Sequence, residues 1–416
     1  MKLLRIIPSM NPASGGPCQG IRNIIPALQK LGIQNEVVCL DPPDAEFAGK
    51  DLFTVHCLGP TKTPWQYSSQ LYPWLLKNLE RFDIVILHGL WLYHGYALYK
   101  AIKKLKDINA LSGKKIPEYY VMPHGMLDPY FQKAGERKIK ALRNVLYWKL
   151  IEHKLINNAA GILFTCEAEK ILALQTFGNY HPKKEIDIGY GIQNPPIFDI
   201  SMKRAFDDKC PQIKNESFIL FLSRVHEKKG IDHLFDAIEN LCGENNPHLE
   251  LRTAATIKFV IAGPGLDDDY GKKLKERVSA SSCLKSRVFF TGMLSGNSKW
   301  GAFYGCEAFI LPSHQENFGI AIVEALSCCK PVLISNKVNI YNEIQQYNAG
   351  LVAEDTTEGA EKLLILWNNL SHEEKIQMSQ NATECFKNQF TIQKAADRFD
   401  QLIIRKSEHE MSTVVK

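Results

Sequence analysis

Short runs of apolar residues recur along the chain with amphipathic stretches between them. In the first half the runs are Leu3 to Ile7, Glu36 to Leu40, Ile84 to Leu87, Tyr119 to Met122 and Gly161 to Phe164. Each is short and bounded by turn residues, which suits a strand better than a helix. Strands alternating with helical patterns predict a parallel sheet wound by helices. The pattern lapses between about Pro195 and Asn215, where Pro195 and Pro196 are followed by charged residues and Pro211, so a linker is expected there. A second series follows at Phe218 to Leu222, Lys258 to Ala262, Arg287 to Thr291, Ala308 to Leu311 and Pro331 to Ser335. The expectation is two α/β domains, 1–200 and 201–390, with a C-terminal helix at about 391–410 packing back on the first. In such sheets ligands bind beyond the carboxyl ends of the strands, so the loops after each run are where chemistry is sought.

Composition narrows this picture only a little. A length of 416 residues exceeds what one hydrophobic core usually fills, in keeping with two domains. With 45% hydrophobic and 23% charged residues the chain is neither disordered nor fibrous. A net charge of +5 is too mild to single out a partner, and nothing points to nucleic acid. No run of about 18 uncharged apolar residues occurs, so any membrane contact is expected to be peripheral. The N-terminus starts as a secretory signal does, but Arg5 and Pro8 cut the apolar run short and it reads as the first strand. The 11 cysteines are scattered without a disulfide or zinc spacing. They read as free thiols in a reducing compartment, hence a cytoplasmic protein.

Several loops carry residues suited to an anionic ligand. After Phe218 to Leu222 comes Ser223-Arg224-Val225-His226-Glu227-Lys228-Lys229-Gly230. Arg224 can grip phosphate oxygens bidentately and Lys229 can add a point charge, offsetting the charge on a departing nucleotide. On its own this is equally a solvated basic loop. Gly263-Pro264-Gly265 follows Lys258 to Ala262 and permits close approach of a ligand, although a plain tight turn explains it as well. Asp267-Asp268-Asp269 precede the helical stretch Tyr270 to Ala280 and favour its N-terminus rather than a metal. The segment Leu311 to Leu326 reads as strand end, loop and apolar helix, with Glu316 and Glu324 about two helical turns apart. The free amides at that helix N-terminus also suit an anion.

Taken in order, these segments resemble the retaining family 4 glycosyltransferases (glycosyl transferases group 1) of the GT-B fold. Glu316 to Glu324, with Ala325 and Pro331-Val332, matches the E-x7-E region of that family. Ser223-Arg224 with Lys229-Gly230, Ile261-Ala262-Gly263-Pro264-Gly265, Phe290-Thr291-Gly292 and Leu311-Pro312-Ser313 fall in the family's order and spacing. The first half adds Gly15-Gly16, His88-Gly89-Leu90-Trp91, Pro123-His124-Gly125-Met126 and Thr165 to Glu169, so the likeness covers nearly the whole chain. It implies two Rossmann-like β/α/β domains facing each other across a cleft, the first binding the acceptor and the second the nucleotide-sugar. It further implies transfer of a hexosyl unit, with retention, from a UDP- or GDP-sugar to a glycan or lipid-linked glycan in surface or exopolysaccharide biosynthesis.

The resemblance also implies roles. Arg224 and Lys229 would hold the donor diphosphate, leaving a divalent metal dispensable and no further cofactor required. Glu324 would accept hydrogen bonds from the ribose. Glu316 and the amides of Asn317, Phe318, Gly319 and Ile320 would hold the sugar and phosphate. Met293 and Leu294 would lie against the base, and Gly263 would line the donor site. Gly15 and Gly16 match the glycine loop beneath the phosphates, where a surface turn is the alternative, and His124 matches the histidine facing the donor sugar. The catalytic set is then His124, Arg224, Lys229 and Glu316, acting by placement and charge with no enzymic nucleophile. His88 and His94 lack a third ligand for zinc.

Two positions depart from the family pattern. Cys329 stands where glycine is common, and Tyr190-Gly191-Ile192 where an Asn-Gly-Ile turn is common. The rival readings are another GT-B enzyme such as a sugar-nucleotide epimerase or an ADP-glucose transferase, a NAD-dependent oxidoreductase, and an inert binding protein. The stretch Pro8 to Gly16 lacks the G-x-G-x-x-G fingerprint of the oxidoreductase. An inert protein would be expected to lose some of Arg224, Lys229, Glu316 and Glu324. Acceptor identity is assigned to the loops near Gly15-Gly16, Thr61 to Tyr67 and Asp128 to Lys140. The last is basic and aromatic (Tyr130, Phe131, Lys133, Arg137, Lys138, Lys140), which suits a lipid-linked acceptor at the inner membrane face or, equally, a solvated helix face.

Overall fold

The computed structural model of the chain describes residues 1–110, 115–133, 138–243 and 257–405. It comprises two compact α/β units, one formed by Met1–Gly191 with the segment from Ile392 onward, the other by Ile192–Thr391.

The first unit holds a seven-stranded parallel sheet of β1 (Lys2–Ile6), β2 (Gln34–Cys39), β3 (Thr54–Cys57), β4 (Ile84–His88), β5 (Glu118–Met122), β6 (Gly161–Phe164) and β7 (Glu185–Asp187). Their order across the sheet is β3-β2-β1-β4-β5-β6-β7. All five apolar runs of the first half are strands. The two strands that the pattern missed, β3 and β7, are the edges, and none of their residues is fully buried. On one face Leu4, Ile6, Val85, Leu87 and Val121 pack with the helices Leu71–Asn78, Tyr93–Asn109 and His153–Asn158. On the other, Leu3, Ile84 and Ile86 are covered by Ala27 and Leu28 of helix Gly16–Lys30 and by Ala396 and Phe399 of helix Ile392–Phe399. The C-terminal helix thus packs on the first sheet, while the end of its expected span, 406–410, lies outside the described residues, as does Arg137.

The second unit holds a six-stranded parallel sheet of β8 (Phe218–Leu222), β9 (Lys258–Ala262), β10 (Val288–Gly292), β11 (Ala308–Leu311), β12 (Val332–Ser335) and β13 (Gly350–Ala353), ordered β10-β9-β8-β11-β12-β13. Again the strand missing from the pattern, β13, is an edge. The stretch expected as a linker contains helix Ile200–Lys209, capped by the Asp199 carboxylate accepting from Ser201 N at 2.8 Å. Its buried residues are only Met202 and Phe206, one turn apart, and five of its ten residues are charged, so the pattern did not show it. Gly301 lies against it so closely that a Cβ there would stand 2.0 Å from the Met202 carbonyl oxygen.

Two cysteine expectations change. Cys242 and Cys283 form a disulfide, with Cα atoms 6.4 Å apart, between the end of helix Ile231–Cys242 and the short helix Ser282–Lys285. The other nine cysteines carry free thiols. A pair 41 residues apart leaves no local spacing to read. Cys329 takes the left-handed conformation that the departure from glycine demanded, with φ 61°. Its N–H donates to Leu326 O (3.1 Å) and that of Lys330 to Ala325 O (2.9 Å), the bonding of a helix C-terminus closed by a left-handed residue.

That conformation costs a side-chain-bearing residue about 1–2 kcal/mol, part of which glycine returns through its greater freedom when unfolded. Cys329→Gly is therefore expected to stabilise the second unit by up to about 1 kcal/mol. Urea unfolding would show a raised midpoint, and an unchanged or lower one would contradict the strain assigned to this turn.

Candidate functional site

At the carboxyl end of β8 the chain keeps pairing with the loop after β9: Ser223 N donates to Ala262 O (3.1 Å) and Val225 N to Pro264 O (2.8 Å). The loops run so close that Gly263, at φ 141°, has no room for a side chain, since a Cβ would lie 1.8 Å from Ser223 O. Gly263 is thereby explained by backbone packing. The β8 loop then makes a single turn, Glu227–Lys229, and Gly230 (φ 66°) opens the next helix, where a Cβ would meet Pro312 O at 1.9 Å. The loop after β11 grips it from the other side, through His314 N (3.0 Å) and Ser313 Oγ (2.9 Å) donating to Lys228 O.

This double grip places Lys229, only 6% exposed, in an ion pair with Glu316. The Glu316 backbone is fixed in turn, its N–H donating to Lys337 O (3.0 Å) and its carbonyl accepting from Asn339 N (2.9 Å). Asn317 Oδ1 accepts from Asn339 Nδ2 at 3.2 Å, and Phe318 is buried with its ring edge-on to Phe390. Gly319 (φ 73°) turns the chain into helix Ile320–Ser327. From that helix Glu324 reaches Lys299 Nζ at 2.7 Å, both side chains being mostly buried. Lys299 also stands 4.4 Å from the centre of the Trp300 ring. Arg224 is exposed, Met293 is 69% exposed just past Gly292, and Leu294 is buried. The carboxyl edge of this sheet therefore carries two lysine–glutamate pairs and one exposed guanidinium. Lys299 was not singled out by the sequence, where it lies in a polar stretch with no motif.

Gly15, Gly16 and His124 belong to the first unit. Gly15 takes φ 95° and Gly16 begins the following helix. Tyr190, at the position that departs from the family pattern, donates its hydroxyl to Gly16 O at 2.9 Å. Its ring occupies the space beside Gly20, where a Cβ would come within 1.6 Å of the hydroxyl oxygen. Tyr190 so ties the turn at Gly189–Gly191 to the glycine loop.

His124 follows β5 in a left-handed turn (φ 54°) held from below by a buried carboxylate. Glu169 accepts from Gly125 N (2.5 Å), Thr165 N (2.8 Å) and Thr165 Oγ1 (2.6 Å). That geometry explains why Thr165 to Glu169 accompanies the Pro-His-Gly-Met turn. His124 Nε2 lies 2.9 Å from His88 Nδ1, and His88 Nε2 lies 3.3 Å from Arg5 Nη1. Arginine only donates, so His88 Nε2 accepts, its proton sits on Nδ1 facing His124 Nε2, and the His124 proton sits on Nδ1. Arg5, a lone charge inside an apolar strand, thus sets the tautomer of both rings. It is anchored by Nε donating to Asn35 Oδ1 at 3.2 Å. Its Nη2 has no protein partner and borders a cavity of about 50 Å³ lined also by His88, His124, Tyr190 and Phe399. A water, whose share of liquid volume is about 30 Å³, fits there. His94 is not a metal partner of His88, because its Nε2 lies 3.0 Å from the His88 carbonyl oxygen. Enclosure by the protein, reinforced by Arg5, lowers His124 to about 4. Burial lowers His94 to about 4 and takes His88 well below its ordinary value.

Comparison with known proteins adds a family context. A glycosyl transferase 4-like domain matches residues 15–184 and the glycosyl transferases group 1 model matches residues 203–384. An uncharacterized glycosyltransferase of Methanocaldococcus jannaschii is 28% identical over 159 residues, 37% of this chain and 37% of that protein. O-antigen chain mannosyltransferase C of Escherichia coli is 24% identical over 237 residues, 56% of this chain and 57% of that one. The chain thus spans between about a third and just over half of the length of these relatives. The crystal structure of Anabaena HepE in complex with UDP and glucose shares the fold, with a TM-score of 0.66 at 17% identity, covering 97% of this chain and 99% of that one.

The enclosed histidines give the first unit a pH signature. Unfolded, all three titrate near 6.5, whereas folded His94 and His124 sit at about 4 and His88 lies well below its ordinary value, so below 6.5 the unfolded chain binds more protons. Their contribution to stability is complete above about 6.5 and is lost as pH falls towards 4. In NMR titrations the His124 imidazole is expected to stay neutral down to about pH 5. A midpoint near 6.5 would mean that the Arg5–His88–His124 chain does not hold in solution.

Proposed function

The chain belongs to the glycosyl transferases group 1 family, and from that premise we propose that it is a retaining glycosyltransferase moving a hexosyl unit from a UDP- or GDP-sugar to a glycan or lipid-linked glycan in surface polysaccharide assembly. The observation that carries this reading is the carboxyl edge of the second sheet, where Lys229–Glu316 and Lys299–Glu324 stand beside exposed Arg224. Arg224 and Lys229 bind the donor diphosphate and take the place of a divalent ion there, since both cations oppose the charge that grows on the leaving group. Glu324 accepts from the ribose while its ion pair with Lys299 holds it in place. Glu316 and the amides of Asn317 to Ile320 hold the sugar and phosphate, and Met293 and Leu294 meet the base. His124, neutral and with its proton on Nδ1, donates to a sugar hydroxyl. The acceptor hydroxyl attacks from the side of the leaving phosphate, which takes its proton. No side chain is required as nucleophile.

The names of similar proteins support the context: one is an O-antigen chain mannosyltransferase, and another was crystallised with UDP and glucose. A lipid-linked acceptor is supported by a surface feature of the first unit. Ile139, Leu142, Leu146 and Leu150 are between 55% and 88% exposed at helical spacing along Lys138–Tyr147 and its continuation Trp148–Glu152. Lys138, Lys140, Arg143 and Lys149 accompany them. An apolar stripe flanked by cations suits an anionic membrane surface. No helix among the described residues is long and apolar enough to cross a membrane.

Thermal-shift measurements with UDP, GDP and NAD, made in chelator, test the donor assignment. UDP or GDP at a hundredfold excess over its Kd is expected to add about 2.7 kcal/mol of stability, and Arg224→Ala and Glu324→Ala to weaken that binding tenfold or more. Stabilisation by NAD alone, or by none of the three, overturns the reading. Co-sedimentation with anionic vesicles tests the stripe: Leu142→Ser with Leu146→Ser should release the chain from vesicles while leaving the nucleotide shift intact. Equal vesicle binding by both forms removes the membrane assignment.

A further inference from the structure

The second unit gathers one more set of coordinating groups. His233 lies in the first turn of helix Ile231–Cys242, His314 in the loop after β11, and Asp355 after β13, ahead of helix Thr357–Asn369. One ligand atom from each falls within 4.8 Å of the others. We propose that His233, His314 and Asp355 form a binding site for a divalent transition ion of the zinc class, separate from the cations assigned to the donor diphosphate.

The distances suit that ion. His314 Nδ1 is 2.7 Å from Asp355 Oδ1, and His233 Nε2 is 3.9 Å from the same oxygen. Ligands about 2.0–2.2 Å from a tetrahedral ion stand roughly 3.3 Å from one another. The two observed spacings bracket that value, so small side-chain rotations open the His314–Asp355 contact and close the His233 one. The orienting groups are also present. His233 Nδ1 lies 3.1 Å from Thr357 Oγ1, which leaves Nε2 facing Asp355, and Thr357 Oγ1 itself donates to Asp236 Oδ2 at 3.3 Å. Holding the remote ring nitrogen in this way is how protein metal sites fix a ligating imidazole.

Charge points the same way. Asp232 Oδ1 stands 4.0 Å from His314 Nε2 and accepts from Tyr270 OH at 3.2 Å, while Asp236 is taken up by Arg277. With both imidazoles neutral, Asp232 and Asp355 leave the cluster anionic. Two imidazoles and a carboxylate prefer zinc, cobalt or nickel to the all-oxygen environment of magnesium or calcium. All three side chains keep an exposed edge, between 16% and 24%, through which an ion can enter.

The three ligands come from one helix start and two loops, and one of these loops already supports the donor site. The His314 amide and Ser313 hydroxyl hold the Lys228 carbonyl next to Lys229. An ion here would clasp the start of the first helix, the β11 loop and the β13 loop together. The assignment goes beyond glycosyl transfer and is tested without nucleotide.

The full chain, stripped with chelator and dialysed, is titrated with Co2+ and followed by visible absorption. One equivalent per chain is expected, with the d–d bands of a four- or five-coordinate ion and no thiolate charge-transfer band, displaced by Zn2+. His233→Phe and Asp355→Asn, measured separately so that a variant that fails to fold leaves the other to decide, should each weaken Co2+ binding tenfold or more. Absence of stoichiometric binding, binding unchanged in a folded variant, or a thiolate band placing the ion on cysteine would each overturn the proposal.

Discussion

A parallel sheet whose strands are connected by helices is covered on both faces, and this constraint governs most of what the chain does. Coverage makes the central strands apolar at nearly every position, because neither face meets water. It also leaves only the ends of the strands free for polar chemistry. In the second unit Arg224, Lys229, Gly263, Met293 and Glu316 all lie in loops just past the carboxyl ends of β8, β9, β10 and β11. Glu324 departs from that rule only by about one turn of helix Ile320–Ser327, and it has Lys299 beside it.

The same constraint decides what could be read in advance. Every central strand is announced by an apolar run, because burial on both faces demands one. The strands β3, β7 and β13 are edges with few buried positions, so burial demands less of them; β10 is an edge too, and its Val288-Phe289-Phe290 run was still legible, whereas the short apolar stretch of β13 was passed over. Helix Ile200–Lys209 escapes for a related reason, since only two buried residues anchor it and half of its residues are charged. The Cys242–Cys283 bond was illegible because it joins chain segments that only the fold brings together.

The candidate site was legible in its motif residues and silent about their supports. Glu316, Lys229 and His124 were visible through resemblance, but nothing local to them names the groups that hold them. Glu169 lies 45 residues after His124 and bonds the turn rather than the ring. Arg5 sits in the first strand, where a charge inside an apolar run is the one anomaly a sequence can show. The structure gives that anomaly a purpose: a buried guanidinium can only donate, and that property passes through His88 to decide which nitrogen of His124 carries the proton.

Both acids assigned to the donor are paired with lysines, and the pairing bears on how such a site attracts an anion. A mostly buried carboxylate without a partner is strongly destabilising, by roughly 3–5 kcal/mol when one member of a buried pair is removed. Lys229 and Lys299 give the carboxylates of Glu316 and Glu324 an ion-pair partner where water is scarce. A closely paired lysine and glutamate present little net charge at a distance. On the proposed reading, long-range attraction for a diphosphate then falls to Arg224, whose side chain is exposed, and short-range contact to the first turn of helix Ile320–Ser327. On that reading the arrangement separates capture from placement: one guanidinium in solvent draws the anion in, and the Lys229–Glu316 pair, already fixed by Asn339, Lys337 and the Lys228 carbonyl, holds the geometry into which it settles.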